Sequence, residues 1–383
     1  EKVNLDLQGQ RISLGDIELK VLGVGINASF EPFSYADRPE PQVEIKVADF
    51  SAKELLRKLE METSMMSDPT SLQHLAMSAR AVVGVNNLEL SNVLVDLDDS
   101  RITGTLDLSM VAAEPTIFDL RVDTISLDRY LMSPDENSTE VDETGDIKIP
   151  TDLIRSINVD GSLSIQKFVL AGLEASNLEF KINNTGGELR VEPIAAGLYD
   201  GRYFGELTID ASKNIPLLIT NQRIEGVNVG LMMKAVGDID DLSGTVNGNL
   251  QAQSAGFTVS AITEDLAGSV LVELVDGAWE GTDIWHQLRV ARAIFRQEVP
   301  PEPTLPARTE FISVKATGDI ADGVFTNNDF LAILPFLQLA GSGTVDLNTT
   351  EIDYSLEVNV VERPDLVAGN WGRDFADFKD TVV

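Results

Sequence analysis

The sequence predicts a mostly β protein: an elongated, curled antiparallel β-sheet, a groove or partly open barrel, with a few short capping helices. Three observations predict it. Apolar and polar residues alternate with period two through most of the chain, the pattern of strands with one buried face. Short turn-forming clusters separate these runs, and connections that short join antiparallel neighbours, since a parallel crossover needs a dozen or more residues. Helical periodicity is confined to short segments, too little to cover so many strands.

The alternation begins at Ile12/Leu14 and Ile17/Leu19/Val21 and returns at Val43/Ile45/Val47, Val93/Val95/Leu97 and Ile102/Gly104/Leu106/Leu108. It continues through Phe118/Leu120/Val122, Leu163/Ile165, Leu178/Phe180/Ile182, Leu189/Val191, Leu207/Ile209 and Leu217/Ile219. Val246/Gly248/Leu250, Val270/Val272/Leu274, Ile312/Val314, Val345/Leu347 and Ile352/Tyr354/Leu356/Val358 complete it. Turns fall at Asp98-Asp99-Ser100, Asn183 to Gly187, Asp200-Gly201 and Asp322-Gly323.

Two helices are predicted. Ser51 precedes Ala52 to Leu59 with Glu54 three residues on, a capping box. From about Thr282 to Gln297, Ile284, Leu288, Ala291 and Phe295 follow the helical period. The apolar stretch Phe330 to Phe336, broken by Pro335, fits either strand or loop. One device recurs: strand residues run into a polar capping residue and then a leucine-containing helical turn. It stands at Val47 to Leu56, Val122 to Leu131, Ile224 to Met233 and, more loosely, Thr282 to Leu288. Its physical sense is a sheet end plugged after every few strands, a degenerate repeat.

Residues 133–146 are polar, acidic and nearly without apolar anchors, so they read as a mobile linker. They divide N-terminal β repeats, 1–132, from a C-terminal β region, 147–383. Val299 to Pro306 reads as an extended proline spacer. The first residues, Glu1 to Leu7, already alternate, which suggests the interior of a longer protein. No window holds the roughly 20 apolar residues of a spanning helix.

The 62 acidic and 29 basic residues give a net charge of −33, against a nucleic-acid partner and against a basic patch for anionic membranes. There is no cysteine, hence no disulfide, thiol nucleophile or Cys-based metal site. His74 and His286 are the only histidines and lie far apart in sequence. Asp96/Asp98/Asp99 and Asp238/Asp240/Asp241 are the acidic clusters nearest to a calcium site, but neither matches the calcium-loop spacing. They read as solvated turns. Gly23-Val24-Gly25 lacks the third glycine and the βαβ context of a phosphate loop. The residues predict no enzyme, cofactor or metal.

A hydrophobic share of 43% on one-sided strands amounts to a large apolar face. Such a face closes on a second layer as a sandwich or solenoid, or it stays an open curved sheet holding something greasy. At about 25 cal/mol per Å², one acyl chain burying a few hundred Å² gains several kcal/mol. Both architectures fit the pattern.

Several segments resemble the C-terminal region of the AsmA family. They are Ile157 to Ile165 with Val169 to Leu178, Ala196 to Leu207, and Leu271 to Trp279, with the caps at Leu127 to Leu131 and Val227 to Leu231. The similarity runs from about Leu88 to Leu356. It implies a periplasmic protein of the Gram-negative envelope, tethered to the inner membrane by an N-terminal helix absent from this chain. Relatives similar to TamB-like and bridge-like lipid transfer proteins form a curved sheet whose apolar groove carries phospholipid. The resemblance thus implies a non-enzymatic lipid-binding or lipid-transfer segment supporting outer-membrane assembly, with phospholipid or another acyl lipid as partner. The expected groove face is Leu163, Ile165, Leu178, Phe180, Ile182, Leu207, Ile209, Leu217 and Ile219. The alternative is a closed β scaffold that binds envelope proteins and no lipid.

Overall fold

The alternating runs fold as strands, which make up 63% of the chain in the computed structural model. The structure describes residues 3–8, 10–34, 41–59, 68–111, 114–130, 146–303, 306–335 and 337–361. The expected linker therefore lies, but for Asp146, outside the described residues. Two compact units emerge, Glu1–Ala196 with Glu206–Pro216, and Gly197–Gly205 with Leu217–Val383.

In the first unit, β1 (Val3–Asp6), β2 (Arg11–Leu14) and β5 (Phe33–Ser34) form a small sheet. The main ladder runs β3 (Ile17–Val21), β4 (Val24–Phe30), β6 (Gln42–Phe50), β7 (Leu75–Val83), β8 (Asn87–Leu97), β9 (Ser100–Ser109), β10 (Thr116–Ser126), β11 (Val159–Leu170) and β12 (Leu173–Thr185). The strands β13 (Glu188–Leu198) and β14 (Gly201–Asp210) give residues to both units. The second unit holds β15 (Leu217–Asn228), β16 (Leu242–Ala255), β17 (Ala267–Glu280), β18 (Arg308–Ala321), β19 (Val324–Ile333), β20 (Leu337–Asp346) and β21 (Ile352–Val360), paired in that order.

From β3 to β12 and from β15 to β21 the ladder pairs run antiparallel with one exception. β10 and β11 run parallel, with Leu120 opposite Leu163 and Val122 opposite Ile165. The sheet is therefore mixed. The reason is length: the connection spans residues 127–158, enough to return the chain to the starting edge before the next strand.

A helical turn follows the strand at all four junctions, at once or after a single cap residue in the first three and after three residues in the fourth; Leu131 of the second lies outside the described residues. β6 leads into α1 (Ala52–Lys58), where the Ser51 hydroxyl accepts the Glu54 N–H at 3.2 Å. β10 leads into a single 3-10 turn, Leu127–Arg129. β15 leads into α3 (Val229–Gly237), capped by Asn228. β17 leads into α5 (Ile284–Arg296), capped by Asp283, whose carboxylate accepts the His286 N–H at 2.8 Å. The sequence pattern missed α2 (Thr151–Ser156) and α4 (Val259–Glu264), which are too short to show a period.

The 3-10 turn ties one end of the first unit's sheet together. Arg129 donates through Nε to Asp68 at 2.7 Å and through Nη1 to Asp99 at 2.6 Å. Asp128 accepts the backbone N–H groups of Ala171 and Gly172 in the β11–β12 turn. Asp98 accepts the N–H groups of Leu72, Gln73 and His74 and the Tyr130 hydroxyl. Partial burial pushes the Asp98 carboxyl up, but these donors together outweigh it and hold it below its usual value. Burial, then the neighbouring Asp98, push the Tyr130 hydroxyl up to about 12. Asp68 is held at about 2 by the Thr70 hydroxyl and N–H and then by Arg129.

α2 is fastened differently. Asn184 is fully buried, and its amide donates to the carbonyls of Ile154 and Ile157 at 2.8 and 2.9 Å. The turn expected at Asn183 therefore starts later, since β12 continues through Thr185.

Leu337 is fully buried on β20, so Leu337→Ala should cost about 2–5 kcal/mol in urea denaturation. Ile352→Ala, at a side chain 70% exposed, should leave the midpoint nearly unchanged. Asp68 has a folded-state pKa of about 2 against an ordinary value of 3.8, so its contribution is full above 3.8 and disappears as pH falls toward 2. Asp68→Asn should therefore flatten the acid limb of the stability curve over that window, and an unchanged limb would contradict the assignment.

Candidate functional site

Residues opposite each other in a ladder share a face, so the registers trace what each face carries. In the first unit one continuous row reads Leu19, Ile26, Val47, Met77, Val95, Ile102, Val122, Ile165 and Leu178. It crosses nine strands without a polar side chain. A second row on the same face reads Phe30, Val43, Ala81, Leu90, Leu106, Phe118, Gly161 and Ile182. Between them Gly104, Leu120, Leu163 and Phe180 align. Gly161 is required by a close approach: a Cβ there would lie 2.5 Å from the Phe118 ring.

The burial of this face comes from the sheet itself. Val43, Ala79, Ala81, Leu90 and Val93 form a buried cluster, surrounded by Ala28, Phe30, Ile45, Met77, Leu88, Val95, Leu106 and Leu108. All of them stand on β4, β6, β7, β8 and β9, neighbouring strands of one sheet. Among the described residues, this cluster is built by neighbouring strands of one sheet. Toward β11 and β12, Ile165 and Leu178 are buried while Leu163, Phe180 and Ile182 are half-buried.

The opposite face is polar. Thr103, Arg121, Ser164 and Glu179 align across β9 to β12. A cleft of about 410 Å³ is lined by these residues with Arg101, Asp123, Gln166 and Asn177, and also by Val122 and Ile165.

The second unit has its own apolar row: Val227, Val246, Leu274, Val314, Ala332, Leu339 and Val358. Here helices cover it. Met232 and Met233 of α3 pack against the cluster of Val227, Val229 and Val246. Trp285 of α5 is buried with Phe311, Ala332, Leu334 and Leu337, and Leu274, Val314, Leu339 and Val358 pack around them. Trp279 meets Phe311 edge-on at 5.6 Å between ring centroids.

The nine expected groove residues therefore divide. Leu163, Ile165, Leu178, Phe180 and Ile182 come together on the first unit's apolar face. Leu207 and Ile209 are half-buried and share one face of β14 by strand alternation. Leu217 and Ile219 stand opposite Ala255 and Gln253, and Ile219 is 47% exposed. Their neighbours Leu218, Thr220, Gln222 and Ile224, opposite Ser254, Ala252, Leu250 and Gly248, carry the face that joins the second unit's apolar row. Tyr203 donates to Gln222 there. Two adjacent leucines, Leu217 and Leu218, made the parity of β15 ambiguous in the sequence. Of the residues missed, Leu19, Val47, Val95, Ile102 and Val122 lay in runs already visible as alternating, whereas Ile26 and Met77 lay outside them; the register linking them all was absent.

Asp98 is occupied by backbone donors, as described above. Among the described residues, no group of three or more His, Asp or Glu side chains is arranged to hold a metal ion. No helix of the described residues is long and apolar enough to cross a membrane.

A family model described as AsmA family matches residues 57–330. Protein AsmA of Escherichia coli (strain K12) is 24% identical over 215 residues, which cover 55% of this chain and 34% of that protein. The chain thus spans about a third of the length of this curated relative. No solved structure matches it. The matched segment runs from α1 to β19 and includes the parallel β10–β11 pair and the capped sheet ends, and on that match the chain belongs to the AsmA family.

Proposed function

We propose that this chain is a non-enzymatic lipid-binding segment of the Gram-negative envelope, working in the periplasm, whose first unit holds acyl chains of phospholipid along its apolar face. The observation that carries this reading is the row from Leu19 to Leu178, an apolar path that crosses nine neighbouring strands of one sheet. Nine strands at about 4.8 Å spacing give a path of about 38 Å along the sheet. An acyl chain spans about half of the roughly 30 Å bilayer core, so the path accommodates two chains end to end. Binding there needs no catalytic group, only apolar contact and exclusion of water. Membership of the AsmA family supports a place in envelope lipid transport or outer-membrane assembly. Tethering at the inner membrane through a preceding helix is part of the same proposal.

Native mass spectrometry of the purified chain should show bound phospholipid. Phe180→Asp places a charge on the path and should lower photo-crosslinking to acyl chains at least about tenfold, with the strand content unchanged by circular dichroism. A lipid-free chain in the first measurement, or undiminished crosslinking in the second, would count against the reading. Recovery of envelope proteins with no bound lipid would favour the scaffold instead.

A further inference from the structure

The apolar face of the first unit is finished differently at different strand ends. At one end, after β8 and β10, the Asp98 carboxylate and the Arg129–Asp68–Asp99 pairing occupy the margin. At the other end, where Thr116, Val159 and Asn184 align, the buried Asn184 fastens α2 beside β11 and β12. The β7–β8 and β9–β10 turns lie at this second end and are apolar instead. Val83, Leu88 and Leu108 align there, the next row of the apolar face beyond Ala81, Leu90 and Leu106. Burial falls step by step: Ala81 and Leu90 are buried, Leu88 and Leu108 half-buried, Val83 exposed. Past them the turns carry Val85, 84% exposed, and Met110, 62% exposed. The Met110 N–H donates to the Asn86 carbonyl at 2.7 Å, which holds the two tips side by side. Glu89 and Asp107, the acidic residues of these strand ends, pair on the opposite face, where the Asn87 amide donates to both. Glu114 in the β9–β10 turn accepts the Ser109 hydroxyl at 3.0 Å.

We propose that phospholipid acyl chains pass on and off the first unit's apolar face over these two tips, with Val83, Val85 and Met110 as the port. The inference rests on the reading of that face as an acyl-chain path and adds to it the place of exchange. An acyl chain that leaves a bilayer loses its apolar surroundings, and the barrier falls wherever other apolar surface replaces them at once. The sequence from Val85 through Val83 and Leu88 to Leu90 supplies that surface without stripping water from a charge. Passage at the opposite strand ends requires separating Arg129 from Asp68 and Asp99, or Asp98 from its donors, and so breaks charge-assisted hydrogen bonds. Passage beside β11 and β12 requires displacing α2 and both Asn184 hydrogen bonds. Continuity of the tips with the apolar rows names the acyl chain as their occupant. A few exposed side chains also fall well short of the roughly 800 Å² per partner that a stable protein interface buries, which disfavours a second copy.

Transfer kinetics test it, using the full chain and phosphatidylcholine vesicles that carry a phospholipid with a fluorescent acyl chain, self-quenched in the bilayer. Uptake by the wild-type chain relieves the quenching. Val85→Asp and Met110→Asp should each slow uptake and return about tenfold and leave the amount bound at equilibrium unchanged, since the tips lie outside the buried rows. Ile117→Asp is the control: its side chain is 53% exposed on the opposite face of the same strand ends, and it should leave both rates unchanged. Phe180→Asp should instead lower the amount bound. The tip positions are exposed, and circular dichroism checks that the variants stay folded. Uptake at the wild-type rate by both tip variants, or equal slowing by Ile117→Asp, would overturn the port and leave the path standing. So would a dimer in light scattering that Val85→Asp dissociates while uptake is unchanged. Loss of bound lipid at unchanged rates would make the tips part of the binding site and likewise overturn the port. A wild-type chain that takes up no lipid overturns the path and the port with it.

Discussion

The first unit depends on one constraint: its main sheet must hide a large apolar face, and among the described residues the buried cluster on that face is made by the sheet's own strands. Its solution is to curl until neighbouring strands bury each other's side chains, as Val43, Ala81, Leu90 and Val93 do. Small residues make that curl feasible. Ala79, Ala81, Gly104 and Gly161 stand among the bulkier partners and let Phe118 and Leu120 lean inward. A sheet organised in this way leaves its ends as weak points, where backbone groups and apolar side chains meet water. The Arg129–Asp68–Asp99 pairing, the Asp98 carboxylate and the Asn184 amide close some of those ends in the first unit. In the second unit α3 and α5 supply apolar side chains to its row instead.

Much of this was legible in the residues. Period-two alternation identified most of the strands, though not β4, β7 or β19, and Ser51 marked a helix start through its capping box. The parallel pair was not: the acidic stretch before β11 read as a linker between two antiparallel regions, and only the pairing of β10 with β11 shows it to be part of a crossover. Register was not legible. Which side of β15 faces inward turns on a one-residue choice between Leu217 and Leu218, and only pairing with β16 decides it. Asn184 looked like a turn residue because its burial is created by α2, a six-residue helix with no detectable period.

Charge behaves the same way. The whole-chain value describes a solvated polar surface, to which the Thr103–Arg121–Ser164–Glu179 row and its acidic neighbours belong. It says nothing of the turn tips at Val85 and Met110, where the exposed side chains are apolar. A composition average excludes partners for the molecule as a whole, while recognition depends on the local surface within a screening length.

The central claim is that one face of the first unit, and not the other, meets acyl chains. The most direct measurement is a scan of photo-reactive amino acids placed singly at residues 162–166 of β11, exposed to phospholipid in cells. The account predicts labelling at 163 and 165 and little at 162, 164 and 166, the alternation that Leu163 and Ile165 show against Ser162, Ser164 and Gln166. Labelling that is absent or uniform along the strand would contradict it.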